Sequence, residues 1–113
     1  MADPVQRGLE AALDGVALRQ KVVAQNLANA MTPGYRSQRV DFEGALGKAL
    51  QSGRDPRGSV ASVGDAGRPA RYDGNSVEPE TENVELIRAS LTYEALVEAA
   101  SHRVRVMRSA LGR

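Results

Sequence analysis

The sequence has little of what a catalytic centre or a disulfide framework is built from. It contains no cysteine, which excludes disulfides and thiolate chemistry. Its one histidine, His102, cannot form a multi-histidine metal site within one chain. No candidate nucleophile has a histidine partner that can be identified from the sequence. We therefore expect no catalytic residues, no metal ligands and no bound cofactor.

Aromatic residues and long apolar runs are also scarce. There is no tryptophan, Phe42 is the only phenylalanine, and aromatic residues make up 4% of the 113 residues. A core must then rest on leucine, valine and alanine, which suits the contact faces of packed helices better than a compact globule. No apolar run approaches the roughly 20 residues that cross a bilayer. We expect neither membrane insertion nor a cleaved secretory signal.

The charges of the chain are nearly balanced. With 15 basic and 14 acidic residues, the net charge is +1. Such a chain has no overall attraction to nucleic acid or to an anionic membrane.

The N-terminal part predicts a long helix over about residues 4–30. Asp3 can cap its start and Pro4 fits the first helical position. The apolar residues follow alternating steps of three and four, which is typical of a coiled coil. This stripe consists of Leu9, Leu13, Val16, Val23, Leu27 and Ala30, with Gln20 between them.

The first helix is followed by a sharp turn. Proline and glycine at positions 33 and 34 predict a type II turn. We expect Asn26 and Asn29, in the last helical turn, to bond free carbonyls there and the backbone of the turn. Tyr35 is expected to anchor the turn on the second helix. The motif as a whole comprises Asn26, Asn29, Thr32, Pro33, Gly34 and Tyr35.

The middle of the chain, residues 36–78, predicts little regular structure. A short patch around Phe42 precedes one or two helical turns at residues 45–51. Of the 25 residues from 51 to 75, 14 are Gly, Pro, Ser, Asn or Asp, so this stretch buries too little apolar surface to offset its ordering entropy. We interpret it as a long loop with a weak β-hairpin around residues 59–63.

The C-terminal part, residues 79–113, predicts a second long helix over about residues 79–111. Pro79 suits its first turn. Because it carries two apolar stripes and the first helix offers only one narrow seam, the surplus predicts assembly. One stripe is Leu86, Tyr93, Val97, Ala100, Val104, Met107 and Leu111. The other is Val84, Ile87, Leu91, Ala95, Ala99, Val106 and Ala110.

The predicted fold class is mainly α. The two long helices form an antiparallel, coiled-coil-like pair within one structural domain, made of residues 1–35, 36–78 and 79–113. The charges favour the antiparallel direction, because each helix would then face opposite charges on the other. We expect Arg19 and Lys21 near Glu94 or Glu98, and Glu10 and Asp14 near Arg103 and Arg105.

Several segments resemble the flagellar rod and hook proteins. The segment 26–35 (NLANAMTPGY) at the end of an N-terminal helix is similar to the signature of that family. Residues 73–77 (DGNSV), 91–96 (LTYEAL) and 107–111 (MRSAL) resemble its FlgB, or proximal rod, branch. The related FlgC type has a Pro-Asn-Val step before the last helix, which is absent here. A FlgC-like rod protein stays the alternative within the family.

The resemblance implies a role in assembly. Members are exported by the flagellar type III apparatus without signal cleavage and stack helically into a tubular, torque-transmitting axle that spans the periplasm. Their terminal helices line the inner tube. The implied partners are further copies, other rod proteins of the FlgC, FlgF and FlgG types, the FliE adaptor, the MS ring and the export gate. The turn motif, Phe42 and Tyr93 would then serve assembly or structure.

Two hypotheses of other classes remain open. Arg103, Arg105 and Arg108 near the C-terminus would suit a small helical nucleic-acid-binding protein. A stable helical monomer or dimer would instead suit a cytoplasmic export chaperone or adaptor.

Overall fold

A computed structural model describes residues 3–59 and 61–112. Two long helices lie side by side, and the chain between them carries a two-stranded sheet and a short helix. The predicted mainly α fold with an antiparallel helix pair is confirmed. In chain order the elements are α1 (Pro4–Ala28), β1 (Gln38–Asp41), α2 (Glu43–Gln51), a 3₁₀ turn (Pro56–Gly58), β2 (Ser62–Asp65) and α3 (Pro79–Gly112).

Helix α1 begins where the capping residues predict. The Asp3 carboxylate accepts a hydrogen bond from the backbone N–H of Gln6 at 2.7 Å, and Pro4 occupies the first turn. This satisfies one of the free N–H groups at the helix start. The helix ends at Ala28, two residues before the predicted end, with Asn29 as its C-cap. Helix α3 spans 34 residues, close to the predicted range.

Three contacts fix the antiparallel direction of the pair. Asn26 near the end of α1 bonds Glu82 near the start of α3, and Gln20 lies 3.3 Å from the hydroxyl of Ser90. At the other end, Arg103 forms an ion pair with Asp3. The C-terminal end of α1 thus lies beside the N-terminal end of α3, and the N-terminal end of α1 lies beside the C-terminal half of α3.

The predicted charge pairs between the helices are wrong. Arg19 bonds Glu43 of α2 at 2.8 Å, and Glu10 lies 3.6 Å from Arg57 beside the 3₁₀ turn. The chain between the helices packs along α1 and provides the charges that we expected from α3. Arg103 pairs with the capping Asp3 rather than with Glu10 or Asp14.

The middle segment is more ordered than the sequence predicts. β1 and β2 pair antiparallel, with Val40 opposite Val63 and Gln38 opposite Asp65. The expected hairpin around residues 59–63 is wrong, because the second strand pairs with a strand more than twenty residues earlier. Val60 lies outside the described residues. The helical turns expected at 45–51 form part of α2.

The core is small and lies where the middle segment meets the helix pair. It consists of five buried side chains, partly covered by Ala12, Leu18, Leu46, Ala61, Tyr93 and Leu96. The Phe42 ring lies against Gly15 of α1, where a methyl group would overlap the ring. The glycine therefore leaves room for the only phenylalanine. The five buried side chains are Val16, Val22, Val40, Phe42 and Ala89.

Arg19 clamps the middle segment onto α1. Its guanidinium bonds both carboxylate oxygens of Glu43 at 2.8 Å and the carbonyl oxygen of Val40 at 2.7 Å. It also lies 4.8 Å from the centre of the Phe42 ring. The hydrogen bond from Arg19 is the main reason that the pKa of Glu43 falls to about 2. The same bond raises the pKa of Arg19.

The molecule is long and flat. Its radius of gyration is 17.3 Å, and its principal extents are 63, 27 and 14 Å. A compact domain of this length would have a radius of gyration of about 13 Å. No helix in residues 3–59 and 61–112 is long and apolar enough to cross a membrane.

Two glycines of α1 should respond in opposite ways to alanine. Gly8→Ala should stabilise the protein by roughly 0.5–1 kcal/mol, since alanine favours the helix and its methyl group would lie an ordinary 3.7 Å from Leu50. Gly15→Ala should destabilise it by about 1–3 kcal/mol, because the methyl group would displace Phe42. Urea unfolding followed by circular dichroism measures both, and stabilisation by Gly15→Ala would contradict this packing.

Candidate functional site

The turn after α1 has the predicted geometry. The backbone N–H of Tyr35 donates to the carbonyl oxygen of Thr32 at 3.1 Å, and Gly34 has a φ of +77°, as a type II turn requires. Asn29 donates from its amide to the carbonyl oxygen of Gln25 at 2.8 Å and accepts from the Thr32 hydroxyl. Asn29 thus bonds a carbonyl near the helix end, but this carbonyl is not free as we expected, because it also accepts the backbone N–H of Asn29 at 3.1 Å.

The side chain of Asn26 makes different hydrogen bonds from those that the sequence predicts. It is fully buried and points inward, away from the carbonyls of the last helical turn. Its amide nitrogen donates to the Gln38 carbonyl oxygen at 2.8 Å and to Glu82 at 2.9 Å. Its oxygen accepts from the Gln38 backbone N–H at 3.0 Å. One side chain therefore links α1, β1 and α3.

Glu82 is the second centre of this network. Its side chain is 2% exposed, although it lies in the first turn of α3. It accepts from Asn26 and from the Ser37 hydroxyl, the latter at 2.9 Å, and it forms an ion pair with Arg68. A buried carboxylate costs free energy unless such partners surround it. Glu82 thus ties the start of α3 to the middle segment.

The sequence analysis did not identify Glu82. We interpreted Glu82 only as one of several acidic residues whose negative charge is favourable near the N-terminal end of the helix dipole. Helical spacing places it in line with buried Ala89 and half-buried Tyr93 and Leu96, which face α1. That spacing is the signal that could have placed Glu82 on the inner face.

The segment 73–77 completes the site by packing on the turn. The Gly34 N–H donates to the Asp73 carbonyl oxygen at 2.9 Å, and the Ser76 N–H donates to the Tyr35 carbonyl oxygen at 3.0 Å. The amide of Asn75 donates to carbonyl oxygens of Asn29 and Thr32, at 2.9 and 2.8 Å. We call this network the junction and define it by Asn26, Tyr35, Ser37, Asn75, Ser76 and Glu82.

The junction brings together two of the family-like motifs quoted above. The turn motif and the segment 73–77 lie about forty residues apart in the chain. Sequence reasoning gave both motifs but did not pair them. The pairing rests on backbone carbonyls and amides, which leave no periodic pattern in a sequence.

The three aromatic residues named from the sequence lie on the inner side of the molecule. Phe42 is buried against α1, and Tyr93 is half-buried beside the core. The Tyr35 hydroxyl lies 3.4 Å from the Asn26 oxygen, so it donates a hydrogen bond to a residue of α1. We had expected Tyr35 to contact α3 instead.

The predicted seam of α1 faces inward. Val16 and Val23 are buried, and Leu9, Leu13 and Leu27 are half-buried. Val22, which is not part of the predicted stripe, is also buried. It lies in the same core cluster as Val40 of β1 and Ala89 of α3.

The two stripes of α3 have different surroundings. In the stripe that faces α1, Leu86 and Tyr93 are half-buried, whereas Val97, Val104, Met107 and Leu111 are exposed. Ala89 and Leu96 pack on this side although neither stripe contained them. In the other stripe, Val84 is 52% exposed and Ile87 and Leu91 are each 62% exposed. We call Val84, Ile87, Leu91 and Ala95 the outer patch.

A groove between α1, β1 and α3 has a volume of about 470 Å³. Its charged lining consists of arginines and glutamates, and it contains no histidine. Across residues 3–59 and 61–112, no three His, Cys, Asp or Glu side chains come close enough to hold a metal ion. The charged lining is Arg19, Arg39, Arg68, Arg88, Glu43, Glu82 and Glu85.

The two asparagines of the turn motif should differ in their contribution to stability. Asn26→Ala removes the partner of one oxygen of the buried Glu82 carboxylate and of the partly buried backbone groups of Gln38, at about 1–3 kcal/mol for each group. Asn29→Ala removes exposed bonds and should cost less than about 1 kcal/mol. Urea unfolding measures both variants, and equal losses would contradict a central role for Asn26.

Comparison with known proteins identifies the family. No protein-family model matches the chain. The flagellar basal body rod protein FlgB of Escherichia coli K12 is 32% identical over 96% of this chain and 94% of that protein. FlgB of Bacillus subtilis 168 is 28% identical over 93% and 91%, and FlgB of Borrelia hermsii is 28% identical over 80% and 82%. The chain belongs to the FlgB family of flagellar basal body rod proteins.

Proposed function

We propose that this chain is a structural subunit of the proximal rod and has no enzymatic activity. Copies are exported by the flagellar type III apparatus without loss of a signal peptide and assemble helically into the tubular axle that transmits torque. Membership of the FlgB family supports a role in the rod, and the exposed outer patch supports assembly with neighbouring subunits. The outer patch is the observation that carries the proposal, because it is apolar surface that one copy leaves open.

The outer patch lies on the side of α3 away from α1. Successive residues of a helix are separated by about 100°. Ile87 and Leu91 therefore point nearly opposite to Ala89 and Tyr93, which pack on the α1 side. Neither α1 nor the described middle segment covers them. Burying such a side chain fully is worth about 1.5–3 kcal/mol, so a neighbour that covers the patch is stabilised.

The shape of the molecule fits a load-bearing subunit. The helix pair is joined by the buried junction at one end and by the Asp3–Arg103 ion pair at the other. Where α1 and α3 lie side by side, force along the long axis of the molecule is therefore carried by two helices rather than one. We propose contacts with further copies, with FlgC-, FlgF- and FlgG-type rod proteins, with the FliE adaptor, and with the MS ring and export gate.

The small core suits passage through an export channel. Five buried apolar side chains form the main cluster, and its only aromatic member is Phe42. The junction adds hydrogen bonds, each worth about 0.5–1.5 kcal/mol net. We infer that a single copy unfolds easily for export and becomes stable when neighbours cover it.

The nucleic-acid alternative receives little support from the arginines that suggested it. Arg103 pairs with Asp3, and Arg105 lies 3.1 Å from Glu98. Helical geometry turns Arg105 by about 200° from Arg103, and Arg108 by about 300° from Arg105, so the three do not share one face. A FlgC-like identity is less well supported, because the relatives described above are FlgB proteins.

Charges placed in the outer patch should block assembly without unfolding the chain. In the source bacterium with its own copy deleted, Ile87→Asp/Leu91→Asp should abolish motility and incorporation into purified basal bodies. The reason is that both side chains are exposed in one copy and buried against a neighbour. Thr92→Asp is the control, since it adds one of the same charges at an exposed position beside Leu91.

Circular dichroism of the purified variants checks that helix content is unchanged. Motility and incorporation at the level of the unsubstituted chain in Ile87→Asp/Leu91→Asp would contradict the proposal. Absence of the unsubstituted chain from basal bodies would contradict it more directly.

A further inference from the structure

The two-stranded sheet has one closed edge, which is the side of β1 that faces α1. The amide group of Asn26 exchanges hydrogen bonds with the backbone carbonyl and N–H of Gln38, at 2.8 and 3.0 Å. Arg19 donates to the carbonyl oxygen of Val40 at 2.7 Å. Side chains of α1 thus satisfy backbone groups of β1 that a further strand would otherwise bond.

The other edge of the sheet, along β2, is open. The N–H of Ala66 donates to the carbonyl oxygen of Ser37 at 2.9 Å, just beyond the paired strands. Because bonded and non-bonded pairs alternate along an antiparallel ladder, the opposed residues Val40 and Val63 exchange no hydrogen bonds. The N–H and C=O of Val63 therefore point away from β1. No hydrogen bond from the described part of the chain reaches them, and all four residues of β2 are exposed.

The open edge lacks the features that usually protect an edge strand. Such strands commonly carry lysine or proline, or contain a bulge that disrupts pairing. β2 has the sequence SVGD, and its four pairs with β1 follow one another without interruption. The only charged residue of β2, Asp65, already pairs with Arg36 at 2.9 Å. The edge can therefore accept another strand.

The apolar residues of the sheet are arranged so that β2 of a second copy fits this edge. If two β2 strands pair antiparallel about Val63, the Val63 residues of the two copies lie opposite each other and exchange their free backbone bonds. Val40 and Val63 lie on one face of the sheet, because they are directly opposed. Two copies then form a row of four valines across four strands. The row covers Val63, which is 45% exposed in one copy.

The charges on the opposite face of the sheet fit the same pairing. Arg39 lies opposite Gly64, and Asp41 lies opposite Ser62. Arg39 and Asp41 are exposed, and neither makes an ion pair with a residue that the structure describes. In the antiparallel pair, Arg39 of one copy lies in the same cross-strand row as Asp41 of the second copy. Only Gly64 and Ser62 lie between them, so the long arginine side chain can extend toward the carboxylate.

We propose that two copies pair through their β2 edges and form one four-stranded antiparallel sheet. Both copies use the same surface, so the contact is two-fold and closes after two copies. It therefore cannot continue into a rod, and it belongs to copies outside the assembled structure. A four-residue edge is small beside the interfaces of permanent dimers, so the pair forms and separates readily. The proposed rod function does not depend on this pair.

Disulfide trapping tests the register of the pair, because the chain has no cysteine of its own. Opposed residues of a hydrogen-bonded pair have Cα atoms about 5.5 Å apart, a distance that a disulfide spans. Val63→Cys should therefore form dimers under diamide several-fold faster than Ser62→Cys. Ser62→Cys is the matched control, since it is exposed in the same strand but would lie on the order of 8 Å from its counterpart. Equal rates, or no dimer from Val63→Cys, would overturn the proposal.

Charge reversal in the Val63→Cys chain tests the pairing of Arg39 with Asp41. Arg39→Asp alone and Asp41→Arg alone should each lower the dimer yield roughly threefold, because each places like charges in both rows. A mixture of the two variants should recover the yield as dimers with one copy of each, since both rows then hold opposite charges. Glu94→Arg, an exposed reversal in the middle of α3, is the control and should leave the yield unchanged. A mixture that dimerises no better than either variant alone would contradict the two-fold arrangement. Circular dichroism checks that each variant keeps its helices.

Trapping in cells tests which protein occupies the edge. Diamide treatment of the source bacterium that carries Val63→Cys should give the same dimer as the purified chain. A mixed disulfide with a different protein in its place would assign the β2 edge to that protein and overturn the proposal. If no dimer forms in either setting while the unsubstituted chain enters basal bodies, the pair is wrong and the rod function stands.

Discussion

The contact between Asn26 and Glu82 determines how the rest of the chain is arranged. Glu82 is buried in the first turn of α3, where a carboxylate without partners would strongly destabilise the fold. Asn26, Ser37 and Arg68 satisfy it, and they come from α1, the residue before β1 and the loop before α3. A shift of α3 along α1 would leave this charge without partners. The contact therefore fixes the register of the helix pair and docks the middle segment on it.

The arrangement leaves the fold incomplete. The junction and the small core occupy one side of α3, while Ile87 and Leu91 face away from α1. The end of α3 extends past α1 with Leu111 exposed. In this flat molecule, no further layer formed by residues 3–59 and 61–112 covers these surfaces. In the assembly that we propose, neighbouring subunits cover them, which relates the small core to the role of the family in a rod.

Local signals in the sequence predicted much of the fold, whereas contacts between segments that are distant in the chain were harder to predict. Asp3 and Pro4 gave the start of α1, and the proline and glycine at positions 33 and 34 gave the turn, because each acts on its own backbone. The strand pair and the partner of Arg19 were missed, since the middle segment reaches α1 from more than twenty residues away. Glu82 was missed because several glutamates lie near the start of α3, and the sequence alone does not distinguish the buried one from the exposed ones.

The central claim is that one copy is incomplete and that neighbours complete it. The most direct measurement is the melting temperature of the purified chain over a wide range of concentration, with sedimentation at each concentration. Because association stabilises only the folded chain, the account predicts a weak transition for the dilute monomer and a melting temperature that rises as oligomers form. A monomer at every concentration with a sharp, high and concentration-independent transition would contradict it.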